Sequence, residues 1–147
     1  MKFLHALTIM SVICVCGGCA RIGLTKATFT RTETSLVLQI DRRMEELMHA
    51  PDLEEDQTLV LELHNYQIGE RLLVPSAKVV ARLEVKRFGP TSQGNLFDGW
   101  VVVRKVTGSN VVANVNLVVT ARTPSGNYVQ TEKFDKQYNF FRAPVTE

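Results

Sequence analysis

The chain has 147 residues, of which 45% are apolar and 22% are charged, an ordinary composition for a globular protein. This length corresponds to one domain, which buries enough surface to fold without a metal ion or disulfide bonds. The formal net charge of +2 gives no electrostatic reason to expect a nucleic-acid-binding protein, because such binding neutralises several phosphates together.

The N-terminal segment, MKFLHALTIMSVICVCGGCA, has the anatomy of a secretory signal peptide. Lys2 supplies its positive charge, and residues 3–15 form its apolar stretch. Gly17 and Gly18 are small enough for the groove of a peptidase. A membrane-spanning helix needs about 20 apolar residues, so the apolar stretch is too short to be one. We therefore predict that residues 1–18 are a signal peptide.

All three cysteines, Cys14, Cys16 and Cys19, lie in this segment, so Cys19 has no disulfide partner later in the chain. The run CGGC that ends at Cys19 resembles the lipobox of bacterial lipoproteins, in which a bulky aliphatic residue and two small residues precede the modified cysteine. Cys16 stands where that class usually has leucine. The resemblance covers residues 1–19 only. It implies cleavage after Gly18 and a membrane anchor in which Cys19 carries diacylglycerol, usually with an N-acyl chain.

The resemblance also implies a location. In Gram-negative lipoproteins an aspartate after the lipidated cysteine tends to retain the protein in the inner membrane. Here that position holds Ala20, which favours the outer membrane. The alternative is ordinary cleavage after Ala20, which leaves a soluble secreted or periplasmic protein that begins at Arg21.

The rest of the chain is predicted to be one domain. Residues 19–27 are expected to form the lipidated N-terminus and a short tether, residues 28–142 a single β domain, and residues 143–147 a C-terminal tail.

The first part of this domain changes its hydrophobic period. Leu36, Leu38 and Ile40 recur at every second position as in a β-strand. Met44, Leu47 and Met48 then follow at the i, i+3 and i+4 spacing of an amphipathic helix. This spacing predicts one short helix near residues 41–49, and continuation of the strand is the alternative.

From Thr58 onward the apolar residues alternate with a period of two, which is typical of half-buried antiparallel strands. The turn at residues 107–110 separates two such runs, and this pattern predicts a β-hairpin over residues 97–122. Further strands are predicted at residues 128–133 and 137–142. We expect an antiparallel β-sandwich of about seven strands, with a small β-barrel as the alternative.

The second strand of the hairpin has one nearly uncharged polar face. Val111, Ala113 and the alternate residues after them form the apolar side of this strand. The opposite side is a candidate contact face for another protein, and the polar residues that form this face are Asn114, Asn116, Thr120 and Arg122.

Residues that carry chemistry are sparse. His64 is interpreted as a surface side chain and His49 as a structural residue at the C-terminus of the predicted helix, and no Gly-x-Ser-x-Gly motif accompanies them. The acidic run at residues 52–56 lacks the glycine and the bidentate glutamate of a calcium loop. We expect no catalytic residues, no metal site and no cofactor.

These observations favour a non-enzymatic, lipid-anchored module of the cell envelope. The membrane would be reached through the lipid on Cys19, and an envelope protein would be bound through a sheet face or edge. The alternative is a carrier of a lipid or other small apolar ligand, since sandwiches and barrels can open to admit one.

Overall fold

The computed structural model describes residues 20–46, 54–86, 95–122 and 129–144. Within these ranges the chain forms β-strands and no helix, which confirms the prediction of a mainly β fold. The strands are β1 (Ala20–Arg31), β2 (Ser35–Glu46), β3 (Glu54–His64), β4 (Arg71–Val74), β5 (Val79–Lys86), β6 (Leu96–Val106), β7 (Asn110–Arg122) and β8 (Val129–Arg142).

The strands follow directly from the two-residue period of the sequence. In β7, Val111, Ala113 and Val115 are buried, and the residues between them are half-buried. Successive side chains of a strand point to opposite faces, so this alternation places one face in the core. The predicted hairpin is confirmed, because β6 and β7 pair in antiparallel fashion from Leu96 with Thr120 to Val106 with Val111.

All eight described strands belong to one sheet with the order β4-β6-β7-β8-β1-β2-β3-β5. Neighbours are antiparallel except β1 and β8, which pair in parallel at Thr28 with Phe141 and at Phe29 with Arg142. The sheet curls into a nearly closed barrel. Of the two predicted architectures, the small β-barrel is the one formed, since a sandwich needs two sheets.

The two edge strands of the sheet, β4 and β5, are consecutive in the chain. A cis peptide bond joins Val74 to Pro75 in the turn between them, and an isolated bridge pairs Ser76 with Val79. The side-chain amide of Asn95, just before β6, donates to the carbonyl oxygen of Leu83 in β5 at 2.7 Å. The barrel is thus closed here by a covalent turn and a side chain rather than by a continuous ladder.

The interior of the barrel is filled by apolar side chains from its inner face. On β2 and β3 these side chains are entirely without solvent-accessible surface, and Phe134 and Phe140 of β8 are equally buried. The β2 and β3 residues are Leu36, Leu38, Ile40, Leu59, Leu61 and Leu63. Burial of each such side chain contributes about 1.5–3 kcal/mol to folding.

The predicted helix near residues 41–49 is wrong for residues 41–46, which continue β2 as far as Glu46. Their backbone is paired on both sides, for example Arg42 with Thr25 of β1 and with Gln57 of β3. The hydrogen bonds of these two ladders stabilise the strand more than the i, i+3 and i+4 spacing of three apolar residues stabilises a helix. Residues 47–49 lie outside the described ranges.

The domain begins earlier than predicted. β1 starts at Ala20, so residues 20–27 are strand and not tether. At the other end, the amide of Ala143 donates to the carbonyl oxygen of Phe29 at 3.0 Å, which ties the start of the predicted tail to β1. Cys19 and the predicted signal peptide lie outside the described residues.

Candidate contact surface

The polar residues predicted as a contact face do share one side of β7. Asn114, Asn116 and Thr120 are half-buried and alternate with the buried core residues of that strand, so they lie on the outer face of the barrel. Arg122 is the last residue of β7 and pairs with Val129 of β8. Its side chain is outside the described part of the structure.

Strand register places Asn116 in a row that crosses four strands. Asn116 pairs with Trp100 of β6 on one side and with Asp135 of β8 on the other, and Trp100 pairs in turn with Leu73 of β4. The side-chain amide of Asn116 donates to Oδ1 of Asp135 at 3.1 Å. The polar face of β7 is therefore continuous with an aromatic and aliphatic surface on β6 and β4.

A second row runs beside the first. Asn114 pairs with Val102 of β6, and Val102 pairs with Arg71 of β4. Val102 is buried although it lies on the outer side of its strand. Oδ1 of Asn114 is also buried and accepts no hydrogen bond from the described residues. We call the outer surface formed by Arg71, Leu73, Trp100, Asn114 and Asn116 the Trp100 face.

Trp100 is the only tryptophan of the chain and is half-buried on the outer side. The guanidinium carbon of Arg71 lies 4.7 Å from the centre of its ring, a cation–π contact worth about 0.5–1 kcal/mol at an exposed site. Beside it, the side chain of Leu73 is 60% exposed. The Trp100 face thus combines a ring, a stacked cation and an exposed aliphatic group.

Gly99 explains how closely β6 approaches β7 at this point. Its φ of +142° lies in the region that favours glycine. A Cβ atom at this position would lie 2.0 Å from the backbone oxygen of Asn116. The missing side chain lets the two backbones meet and sets Trp100 beside Asn116.

The sequence did not reveal Trp100, Arg71 or Leu73 as part of this surface. Residues 100–103 are apolar on both faces, a pattern that is typical of a central strand and does not indicate an exposed ring. The alternation of Leu72 and Val74 with their neighbours was the available signal for β4, but four residues are too few for the pattern to be distinctive.

A second feature is a polar cavity of about 320 Å³. Its lining residues are Lys26, Asp41, Arg42, Arg43, Asp56, Gln57 and Thr58. Charged groups in it already pair with neighbours: Asp41 accepts from the Thr58 hydroxyl at 2.9 Å, and Nε of Arg43 lies 3.5 Å from Asp56. A ligand would have to compete with these contacts to bind in this cavity.

The described residues hold no cluster of candidate metal ligands. No group of three or more His, Cys, Asp or Glu side chains there could hold a metal ion. His64 lies at the surface with Nε2 3.4 Å from Glu62, and His49 is outside the described ranges.

The Lys78 ammonium donates to Glu70 and holds the pKa of that exposed carboxyl below its usual value. Within the same ranges no helix is long and apolar enough to cross a membrane.

We compared the chain with known proteins at the level of family, sequence and structure. No protein-family model matches the chain, and searches of curated proteins and of solved structures find no match either.

Proposed function

We propose that this chain is a non-enzymatic, lipid-anchored module of the cell envelope that binds another protein through the Trp100 face. The support for the anchor is the signal-like segment at residues 1–18 followed by Cys19 in a lipobox-like run. The support for protein binding is the composition and exposure of the Trp100 face.

The observation that carries the binding proposal is the grouping of Trp100, Arg71 and Leu73 on one outer surface. Tryptophan and arginine are the residues most enriched among those that dominate binding energy at protein interfaces. An exposed leucine beside them adds apolar area that a partner can remove from water. Asn114 and Asn116 supply a polar border of the kind that rims such interfaces.

The Trp100 face also has a rigid support. β6, which carries Trp100, is paired with β4 on one side and with β7 on the other. β7 is itself paired along its whole length with β8. Side chains held on paired strands lose little further backbone freedom when a partner binds, so more of the contact energy remains as affinity.

The anchor is tested by substitution of single cysteines followed by cell fractionation. Cys19→Ser removes the predicted lipid acceptor, and Cys14→Ser is the matched control because Cys14 lies in the apolar stretch of the predicted signal peptide, outside the lipobox-like run. We expect Cys19→Ser to leave the membrane fraction and Cys14→Ser to remain in it. Sedimentation of the Cys19→Ser protein with membranes, as for the parent, would contradict the proposal.

The contact surface is tested by site-specific photocrosslinking in intact cells. A photoreactive phenylalanine analogue replaces Leu73 in one protein and Phe141, which is 62% exposed on β8, in the control. We expect a discrete crosslinked protein from position 73 and not from position 141, and Trp100→Ala should abolish it. The same adducts from both positions, or none from position 73, would count against the Trp100 face.

The alternative function, transport of an apolar ligand, receives no support from the described interior. Side chains that line a water-sized void retain accessible surface. Leu38, Leu61 and Phe134, on three different strands, retain none. The inner face therefore offers no space for a ligand beside these side chains.

A further inference from the structure

The strand directions define two ends of the barrel. One end holds the start of β1, and the other holds the short turns. β1 begins at one end with Ala20, and antiparallel pairing brings the end of β2 and the beginning of β3 to the same level. We call this the N-terminal end. The strand termini that lie at it are Ala20, Glu46, Glu54, Lys86, Leu96, Arg122 and Val129.

The opposite end, which we call the turn end, carries short, internally bonded turns. In the first of them the Thr32 amide donates to the carbonyl oxygen of Ser35 at 3.0 Å. In the second, the Thr107 amide donates to the carbonyl oxygen of Asn110 at 2.8 Å. β8 also finishes at this end, at Arg142.

The distance between the predicted anchor and the barrel is one peptide unit. Cys19 is followed directly by Ala20, the first residue of β1. One residue spans at most about 3.6 Å, so a glycerolipid on Cys19 cannot be far from the N-terminal end. A flexible linker would let the domain tumble, but no linker separates the modified residue from the first strand.

We propose that the barrel stands on the bilayer on its N-terminal end, with the turn end directed away and the Trp100 face presented sideways. This orientation rests on the proposed lipidation of Cys19. Charges do not oppose it, because the exposed side chains near the N-terminal end include both signs, as in Arg43, Asp56 and Lys133.

Barrel dimensions give the heights of the two ends. A strand of 12 residues such as β2 extends about 40 Å, and a tilt of about 40° reduces its height to about 30 Å. Trp100 is the fifth residue of β6, so it lies about 10 Å above the N-terminal end. A partner that meets the Trp100 face at this height is itself a membrane-bound protein or one held close to the headgroups.

The orientation is tested by fluorescence quenching on vesicles. Lipidated protein carries a single added cysteine with a fluorophore, either at Thr131 near the N-terminal end or at Glu33 in a turn of the turn end. Both positions are exposed, and the sulfur of a lipidated Cys19 is not available to the label. The vesicles contain phosphatidylcholine with a small fraction of lipid that bears a spin label on its headgroup.

We expect quenching to be several-fold stronger for Thr131→Cys than for Glu33→Cys. A second pair, Leu96→Cys and Ser109→Cys, must give the same order, which guards against a local effect of one label. Equal or reversed quenching in protein that floats with the vesicles would overturn the orientation and leave the anchor intact. If the protein purified from membranes does not float with the vesicles, this result would contradict both the anchor and the orientation.

Discussion

Arg42 is a charged side chain inside the barrel, with 5% of its surface exposed. Its guanidinium carbon lies 3.5 Å from the ring centre of Phe134. Nη1 donates to the carbonyl oxygen of Lys133 at 2.8 Å, and Nη2 donates to the hydroxyl of Tyr138 at 2.9 Å. All three contacts are on β8, so this one side chain of β2 reaches across β1 to the strand beyond it.

We predict that Arg42→Ala lowers the free energy of unfolding by about 3 kcal/mol, because it removes the donor to the buried Tyr138 hydroxyl and to the part-buried carbonyl oxygen of Lys133 and leaves a cavity beside Phe134. Arg42→Met should cost less, about 1 kcal/mol, since it fills the space without a buried charge. Arg43→Ala, which removes an exposed ion pair, is the control and should cost under about 1 kcal/mol. Urea denaturation in a Cys19→Ser background measures all three. An Arg42→Ala protein as stable as its parent would show that these contacts contribute nothing net.

Gly99 gives a second prediction at the scale of one residue. An added methyl group would meet the backbone oxygen of Asn116 at 2.0 Å, so Gly99→Ala must push β6 away from β7. We expect it to destabilise the barrel by about 3 kcal/mol or more, or to prevent folding. Gly108→Ala is the control, because a Cβ there meets nothing within 4 Å. Thermal unfolding followed by circular dichroism compares them, and equal melting temperatures would refute the close approach.

Among the elements, β1 and β7 differ in how they are held. β7 is paired on both sides almost throughout, with β6 and with β8. In the described residues, β1 pairs with β8 only at Thr28 and Phe29, so its first half is held by β2 alone. A register shift between Ile22 and Thr25 further interrupts that ladder. Arg42 bridges the same region from the inside.

We therefore predict that backbone amides of residues 20–27 exchange with deuterium much faster than those of residues 111–119. Opening of β1 breaks one ladder, whereas opening of β7 breaks two and exposes core side chains. Hydrogen exchange with mass spectrometry resolves the two segments as separate peptides, and Arg42→Met should widen the difference. Equal protection in the two segments would mean that β1 is as firmly held as the centre of the sheet.

The elements also show which features a single sequence reveals. The hairpin of β6 and β7 was predictable because β7 has an apolar residue at every second position from Val111 to Ala121. The helix near residue 41 was predicted wrongly because three apolar residues matched its spacing, while the ladders to β1 and β3 decided the conformation. β4 was missed because four residues carry too little pattern. Arg42 gave no signal, since its burial depends on Phe134 and Tyr138, which lie far along the chain.

For the molecule as a whole, the sequence predicted the class of fold and favoured a sandwich with a barrel as the alternative, whereas the described strands form one nearly closed barrel. The two differ in which strands pair, and here closure depends on the parallel contact of β1 with β8 and on the turn from Val74 to Val79. Neither is visible in a two-residue period. The sequence predicted part of the contact surface, because the alternation in β7 places Asn114 and Asn116 on one side. Trp100 and Leu73 lie beside them because of how the strands pair, which the sequence alone does not show.

The proposed function of the whole molecule depends on which residue is first in the mature protein and on whether that residue carries a lipid. A barrel with its first strand at Ala20 and a lipid on the preceding residue is held against a membrane, and its Trp100 face then meets neighbours at that surface. The same barrel without the lipid has no such restriction on its partners.

Intact-mass spectrometry of the mature protein, purified with detergent from bacterial membranes, distinguishes these states. We predict a chain that begins at Cys19 and carries the added mass of diacylglycerol, with or without a further N-acyl chain. The mass of an unmodified chain that begins at Arg21 would contradict the proposed anchor.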